Sequence, residues 1–300
     1  MRRFAGVRPV LQTPFGNTAD QPILYDALGS LAARMLDFDV DGLVILGLAS
    51  EAWALTEKER DAVSETVGAY ATRTSIVAGI DGTTAVAVDR ARRAFRYGAS
   101  SLMVLPPRGA TVDQLVTHFC RVADAGGVPI LIQDSPQVSG VELGPEAFVR
   151  LAEAHPLLCA AKVEGPGAGP KVSRLVEAGI EVVAGWGGLH YPESLRRGAI
   201  GCMPGSDLGP AITRMDRLWR DGSRESSEDL YRQILPLLSY VAQSLPLLIL
   251  GAKRLLHGAG IFPAAAMRAP APELDGQQAE TLDALFERLH ADQVPGWWGG

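Results

Sequence analysis

The sequence predicts an α/β chain folded as a (β/α)8 TIM barrel with a C-terminal helical extension, on three observations. Short apolar runs alternate with amphipathic stretches eight times. A glycine repeatedly stands just before the next apolar run, as at Gly98, Gly126, Gly179 and Gly198, where the left-handed conformation closes a helix. The repeat is about 20 to 30 residues, which suits one βα unit and favours a barrel over a doubly wound sheet.

The first strand is Val7 to Gln12, followed by an amphipathic stretch from Ile23 to Leu36. Leu43 to Leu46 leads into Glu57 to Ala71, and the alternation continues through Ile76 to Ala78, Leu102 to Leu105, and Pro129 to Ile132. Leu158 to Ala161, Val182 to Ala184 and Ile200 to Met203 complete the eight strands. Their near-continuous apolar character is what strands covered on both faces require, and intervening helices imply a parallel sheet. Beyond Ser223 the pattern turns helical, over Ser227 to Val241, Leu245 to His257 and Glu273 to His290. The division expected is a barrel over 1–222 and a helical region over 223–300. The tail carries Trp297 and Trp298, which are costly to leave in water and pack either on a neighbouring subunit or on their own domain.

At 300 residues and 47% hydrophobic content the chain can bury a large core, and the single repeat pattern argues for one main domain. A net charge of -6 provides no basic stripe for a phosphate backbone, so nucleic acid is excluded as a partner. Cys120, Cys159 and Cys202 are odd in number and lack CxxC spacing, which fits a reducing cytoplasm. No stretch runs about 18 residues without charge, so the expectation is a soluble protein that neither spans a membrane nor is exported. The five histidines form no HxH or HxxxH pair, and no metal or other cofactor is expected. Gly165 to Lys171 lacks the Gly-Lys-Ser/Thr ending of a phosphate loop and reads as the entry to a helix.

Lys162 closes the apolar run Leu157 to Val163. A lysine at the end of a barrel strand can be desolvated, which penalises the ammonium and leaves an amine able to attack a carbonyl. Glu164 lies two residues on, so on a continuing strand it shares the face of Lys162. It serves either as a general acid/base or as an ion-pair partner that keeps Lys162 inert.

The chain also resembles the dihydrodipicolinate synthase and N-acetylneuraminate lyase family, Schiff-base-forming aldolases built on a (β/α)8 barrel with a C-terminal helical domain. The resemblance runs from Gly6 to about Pro270. Its pieces are Gln12-Thr13-Pro14-Phe15, Asp41 to Gly47, Ala52 to Arg60, Ala78-Gly79-Ile80, Pro136, Ala161-Lys162, Gly198 to Gly201, and Arg268-Ala269-Pro270. It implies that Lys162 forms an imine with a 2-oxo acid, such as pyruvate or a pyruvate-derived sugar acid, in a lyase or hydro-lyase reaction. It also implies a homo-oligomer, dimer or tetramer.

The family's functional positions are altered. Its Gly-Thr-Thr-Gly-Glu loop, which binds the substrate carboxylate, is here Gly47-Leu48-Ala49-Ser50-Glu51, leaving backbone donors and Ser50. Gln133 stands in place of the proton-shuttling tyrosine and can orient a water but not exchange protons near neutral pH. Val138 replaces a carboxylate-binding arginine, and Arg108 is the nearest match to a second tyrosine. Asp134, Trp186 and Met203 complete the substrate-binding candidates, while Glu51 is read as a loop brace or a catalytic group and His190 as a helix-start residue or a proton carrier. Synthesis of dihydrodipicolinate itself is therefore not expected. The alternative to an enzyme is a barrel that binds a small acid without turnover, as a sensor or assembly partner.

Overall fold

The structure, a computed structural model, describes residues 3–165, 167–294 and 298. Eight strands, β1 (Gly6–Val7), β2 (Leu43–Ile45), β3 (Ile76–Ile80), β4 (Ser101–Val104), β5 (Ile130–Asp134), β6 (Leu158–Val163), β7 (Glu181–Ala184) and β8 (Gly201–Cys202), form one sheet. Every pairing is parallel, in the order β1-β8-β7-β6-β5-β4-β3-β2. The ends meet where Val10, beyond β1, bridges Val44 of β2. Leu11 N–H donates to Val44 O and Val44 N–H to Pro9 O, both at 2.9 Å, which joins the sheet into a barrel.

The barrel helices are α1 (Tyr25–Asp37), α2 (Glu57–Gly68), α3 (Thr84–Arg96), α4 (Val112–Gly126), α5 (Pro136–Ser139), α6 (Pro145–Ala154), α7 (Ala168–Glu177), α8 (Tyr191–Arg196) and α9 (Gly209–Arg220). They are followed by α10 (Arg224–Val241), α11 (Leu245–Gly258) and α12 (Gly276–Ala291). Thr56 and Thr111 open α2 and α4 with capping boxes, each threonine accepting from the N–H of the third helical residue, where a glutamate or glutamine returns the bond. Gly98, Gly179 and Gly198 have φ of 93°, 79° and 95°, the left-handed geometry expected of residues that end helices before strands, whereas Gly126 is still the last residue of α4 and its neighbour Gly127, at φ 64°, closes that helix.

Strand alternation divides the interior into two layers. Val44, Val77, Met103, Leu131, Ala160 and Val183 fill the barrel centre. Their neighbours Ile45, Ala78, Leu102, Ile132, Ala161 and Val182 face the helix shell. In the tail, Trp297 lies outside the described residues, and Trp298 packs on its own chain: its indole N–H donates to Asp207 O at 2.7 Å and its ring meets Phe38 edge-on at 5.4 Å.

Candidate active site

The alternation that fills the barrel also selects which polar side chains reach its C-terminal mouth. On β6, Ala160 points inward, so Lys162 does too, and Glu164 follows in the same register. On the neighbouring β5, Leu131 points inward and therefore Gln133, the register partner of Lys162. The three side chains converge. Lys162 Nζ lies 2.8 Å from Glu164 Oε1, and Gln133 Nε2 donates to Glu164 Oε2 at 3.3 Å.

The Glu164 carboxylate is seated in a cradle. Trp186 N–H donates to Oε1 at 3.2 Å. Trp186 has φ of +50°, costly for a bulky residue, and its indole N–H donates to Ala242 O at 3.0 Å, which ties this loop to the end of α10. Gly185 lets the carboxylate approach, since a Cβ there would stand 2.2 Å from Oε1. Burial alone would raise the Glu164 pKa. The Lys162 ammonium, the Ser135 hydroxyl and the Trp186 N–H outweigh it and hold the carboxyl below its ordinary range. Ser135 is itself fully buried, with no well-formed hydrogen bond at its Oγ.

Beside the pair lies free volume. A cavity of about 30 Å³ is lined by Lys162, Glu164, Leu48, Ala49, Trp186 and Met203, with Val10, Gly205, Leu245 and Leu248 among its other walls. An ion pair with no space next to it would be a structural brace; this one opens onto a chamber. A groove of about 540 Å³ adjoins it, sharing Leu48 and containing Gly47, Gln133, Arg108 and Val138. A larger cavity, about 710 Å³ between α11 and α12, lies away from Lys162 and holds none of these residues.

The structure thus brings together Lys162, Glu164, Gln133, Leu48, Ala49, Trp186 and Met203. It separates four others. Gly47 and Arg108 line the adjoining groove, where the exposed Arg108 donates to Val138 O at 2.7 Å. Asp134 faces out of the barrel, because after a register shift at Ile130/Leu131 the ladder runs unbroken from Leu131 to Asp134 and places Asp134 opposite to Gln133, and its Oδ2 meets Lys171 Nζ of α7 at 2.7 Å. Ser50 donates its hydroxyl to Leu11 O at 2.6 Å, so the group that was expected to replace the family's threonine is turned to the backbone of the segment that follows β1. His190 precedes α8 as its N-cap residue.

Glu51 braces its loop. It is buried in an ion pair with Lys253 of α11 and accepts from Arg268 N–H at 3.0 Å. Burial raises its pKa despite both cations, and burial pushes Lys253 down to about 8 against the pull of Glu51. Sequence reasoning missed Lys253, the Ser135 hydroxyl, and the Leu245 and Leu248 wall. Ser135 was recoverable, since it follows Gln133 by two residues. The residues on α11 carry no local signal for a contact with the barrel mouth.

Comparison with known proteins agrees with this geometry. The model of the dihydrodipicolinate synthetase family matches residues 3–289. An L-2-keto-3-deoxyarabonate dehydratase of Azospirillum brasilense is 31% identical, over 96% of this chain and 95% of its own. A 4-hydroxy-tetrahydrodipicolinate synthase of Streptomyces coelicolor is also 31% identical, over 93% of each. The crystal structure of a dihydrodipicolinate synthase from Rhodopseudomonas palustris superposes with a TM-score of 0.88 at 25% identity, covering 95% of this chain and 97% of that one. With an eight-stranded barrel that matches over nearly its whole length and a lysine at its mouth, the chain belongs to the dihydrodipicolinate synthetase family and is a lyase of the class I aldolase type.

Proposed function

We propose that the protein is an imine-forming hydro-lyase acting on a 4-hydroxy-2-oxo acid, with Lys162 as nucleophile and Glu164 as general acid/base. The contact between Lys162 Nζ and Glu164 Oε1 carries the reading, because it puts a proton carrier beside the amine where Gln133 has replaced a titratable tyrosine. The whole-length similarity to a dehydratase supports carbon–oxygen cleavage.

Entry of the substrate lets the Lys162 proton pass to Glu164, and the amine adds to the C2 carbonyl. Loss of water from the carbinolamine gives a protonated imine, with Glu164 supplying the proton for the departing hydroxide. Glu164, again a carboxylate, removes a proton from C3, and the electron pair settles into the enamine. That pair then expels the C4 hydroxyl, which leaves as water with the proton from Glu164. Hydrolysis of the imine frees the dehydrated 2-oxo acid and returns Lys162. Backbone N–H groups of Leu48 and Ala49 receive the carboxylate, Gln133 orients the leaving oxygen or a water, and Met203 and Trp186 form walls. We place the enzyme in the cytoplasm as a homo-oligomer, dimer or tetramer.

The test is intact-mass analysis after borohydride reduction with pyruvate and longer 2-oxo acids, in wild type and Lys162→Ala. The expected result is a stable adduct in wild type alone. Folded wild-type protein that forms no adduct with any 2-oxo acid refutes the imine and favours a binding barrel without turnover.

A further inference from the structure

Resting on the role given to Glu164 above, we propose that Ser135 is a positioning residue for that carboxyl: its buried hydroxyl turns with the proton, donating to the carboxylate and accepting from the carboxylic acid, so that Glu164 changes protonation state without changing place. Three observations carry this. Ser135 follows Gln133 by two residues, its backbone still non-helical at φ -130° and ψ 71°, and its hydroxyl stands beside the Glu164 carboxyl. Ser135 is also the N-cap residue of α5, a place where a serine oxygen ordinarily accepts from the helix's own N–H groups. Here the side chain makes no such bond, and it is the Ser135 carbonyl that serves α5, accepting from Ser139 N–H at 2.8 Å and from Ser139 Oγ at 3.0 Å. Finally, Ser135 is fully buried and its Oγ has no well-formed hydrogen bond. A hydroxyl left in that state is costly, and the Glu164 carboxyl is the neighbour able to engage it.

The other partners of Glu164 suit one protonation state. The Lys162 ammonium, the Trp186 N–H and Gln133 Nε2 all give hydrogens, which fits a carboxylate. Between taking a proton from C3 and giving it to the departing hydroxyl, Glu164 is a carboxylic acid with an O–H of its own, which needs an acceptor. The Trp186 N–H cannot accept. Gln133 accepts only by turning its amide over, whereas Ser135 needs rotation about one bond. Among the described residues, the titratable groups around Glu164 are Lys162 on its own strand, Asp134 on β5, turned outward onto Lys171, and Cys202 on β8, whose thiol burial raises and keeps neutral. From α11 come only Leu245 and Leu248.

Exchange of the pyruvate C3 protons for deuterium in D2O, followed by NMR at saturating pyruvate, reads the proton transfer with one defined probe. Wild type is compared with Ser135→Ala, Glu164→Gln and the double variant. Ser135→Ala is expected to slow exchange about 10-fold, while its urea midpoint stays at the wild-type value or above, since the hydroxyl it removes makes no well-formed bond. The acidic limb of its exchange profile moves up by about half a pH unit or more, because donation to an ion is the stronger of the two bonds and its loss favours the protonated acid. In the Glu164→Gln background, where no proton is carried, the same substitution costs less than about 2-fold. An unmoved acidic limb, an equal loss in both backgrounds, or a urea midpoint that falls with the rate assigns Ser135 a purely structural role and overturns the inference, with the imine reading intact so long as wild type traps and exchanges pyruvate. Wild type that traps pyruvate without exchanging it, or exchange unaffected by Glu164→Gln, removes Glu164 as the base, and no pyruvate adduct at all removes the imine; in either case the inference falls with the reading it rests on.

Discussion

Lys162 and Lys253 are both buried amines held against a glutamate, yet their surroundings differ in the one respect that matters for chemistry. Lys253 is the more deeply covered, with no exposed surface, and burial depresses its pKa to about 8. Judged by proton affinity alone it would be an attractive nucleophile. It has a carboxylate, a backbone carbonyl and an aromatic face packed around it, and its ammonium bonds join α11 to the loop after β2. Lys162 makes its ion pair at the edge of an open chamber. Desolvation and a nearby charge prepare an amine, but only free volume lets a carbonyl reach it.

The sharpest way to break this comparison is to remove each amine in turn. Lys162→Ala is expected to abolish borohydride trapping and to lower turnover by at least about 1000-fold, as loss of a covalent nucleophile does. Lys253→Met is expected to keep trapping per folded molecule. Its cost falls on stability, about 3–5 kcal/mol by urea unfolding, because Glu51 is left as a buried unpaired charge. The double variant Glu51→Leu/Lys253→Met should recover most of that loss. Trapping that vanishes in folded Lys253→Met and persists in Lys162→Ala would reverse the two assignments.

A second cut separates imine formation from proton transfer. Glu164→Gln retains the shape of the cradle, keeping an acceptor oxygen for Trp186 N–H and, with the Gln133 amide turned over, a bond to Gln133, but cannot carry a proton. Turnover of a 4-hydroxy-2-oxo acid should fall by about 10²–10⁴-fold. The pyruvate adduct should still accumulate at saturating pyruvate, more slowly. An unchanged turnover rate would remove Glu164 from the chemistry and return it to the role of a brace.

Much of this was legible in the sequence because it depends on short-range periodicity. The apolar runs fix the strands, and the same two-residue period places Lys162 and Glu164 on one face and sends Asp134 away from Gln133. What remained hidden depends on contacts across the fold. Trp186 meets Ala242, Lys253 meets Glu51, and Leu245 and Leu248 wall the chamber, so the helical region is part of the mouth and not only an appendage. Separations of 56 and about 200 residues leave no periodic mark. Ser50 misled for a related reason: its residue type promised a donor at the loop, and the direction of its hydroxyl is decided by Leu11.

The Glu51 cluster has a second carboxylate whose behaviour is opposite to that of Glu51 itself. Hydrogen bonds from Arg268 and the Thr56 cap hold Glu59 down at about 2, while burial raises Glu51. For Glu59 the folded chain binds a proton less readily than the unfolded one, whose value is near 4.5. Its contribution is therefore complete above about pH 5 and is lost as pH falls from about 4.5 through about 2. Allowing for its partial exposure, about 2 kcal/mol is at stake. Urea midpoints taken across that interval should fall less steeply for Glu59→Gln than for wild type; parallel curves would mean that Arg268 gives Glu59 no net stabilisation.

The smallest expected effect tests the link between α10 and the Glu164 cradle. Trp186→Phe keeps an aromatic wall and the backbone N–H that faces Glu164, and removes only the indole bond to Ala242 O. The expected loss is about 1 kcal/mol of stability with pyruvate trapping close to wild type, the ordinary net value of one hydrogen bond. Trp186→Gly removes the same bond and the ring, but relieves the left-handed strain at φ +50°. The lost packing of the half-buried ring outweighs that relief, so Trp186→Gly should be less stable than Trp186→Phe; if the indole bond serves to hold a strained loop against the carboxylate, it should also be poorer in turnover, because relaxed backbone no longer presents its N–H to Glu164. Equal turnover in the two variants would show that the loop keeps its shape without the anchor, and that the strain at Trp186 is supported by the barrel and not by the helical region.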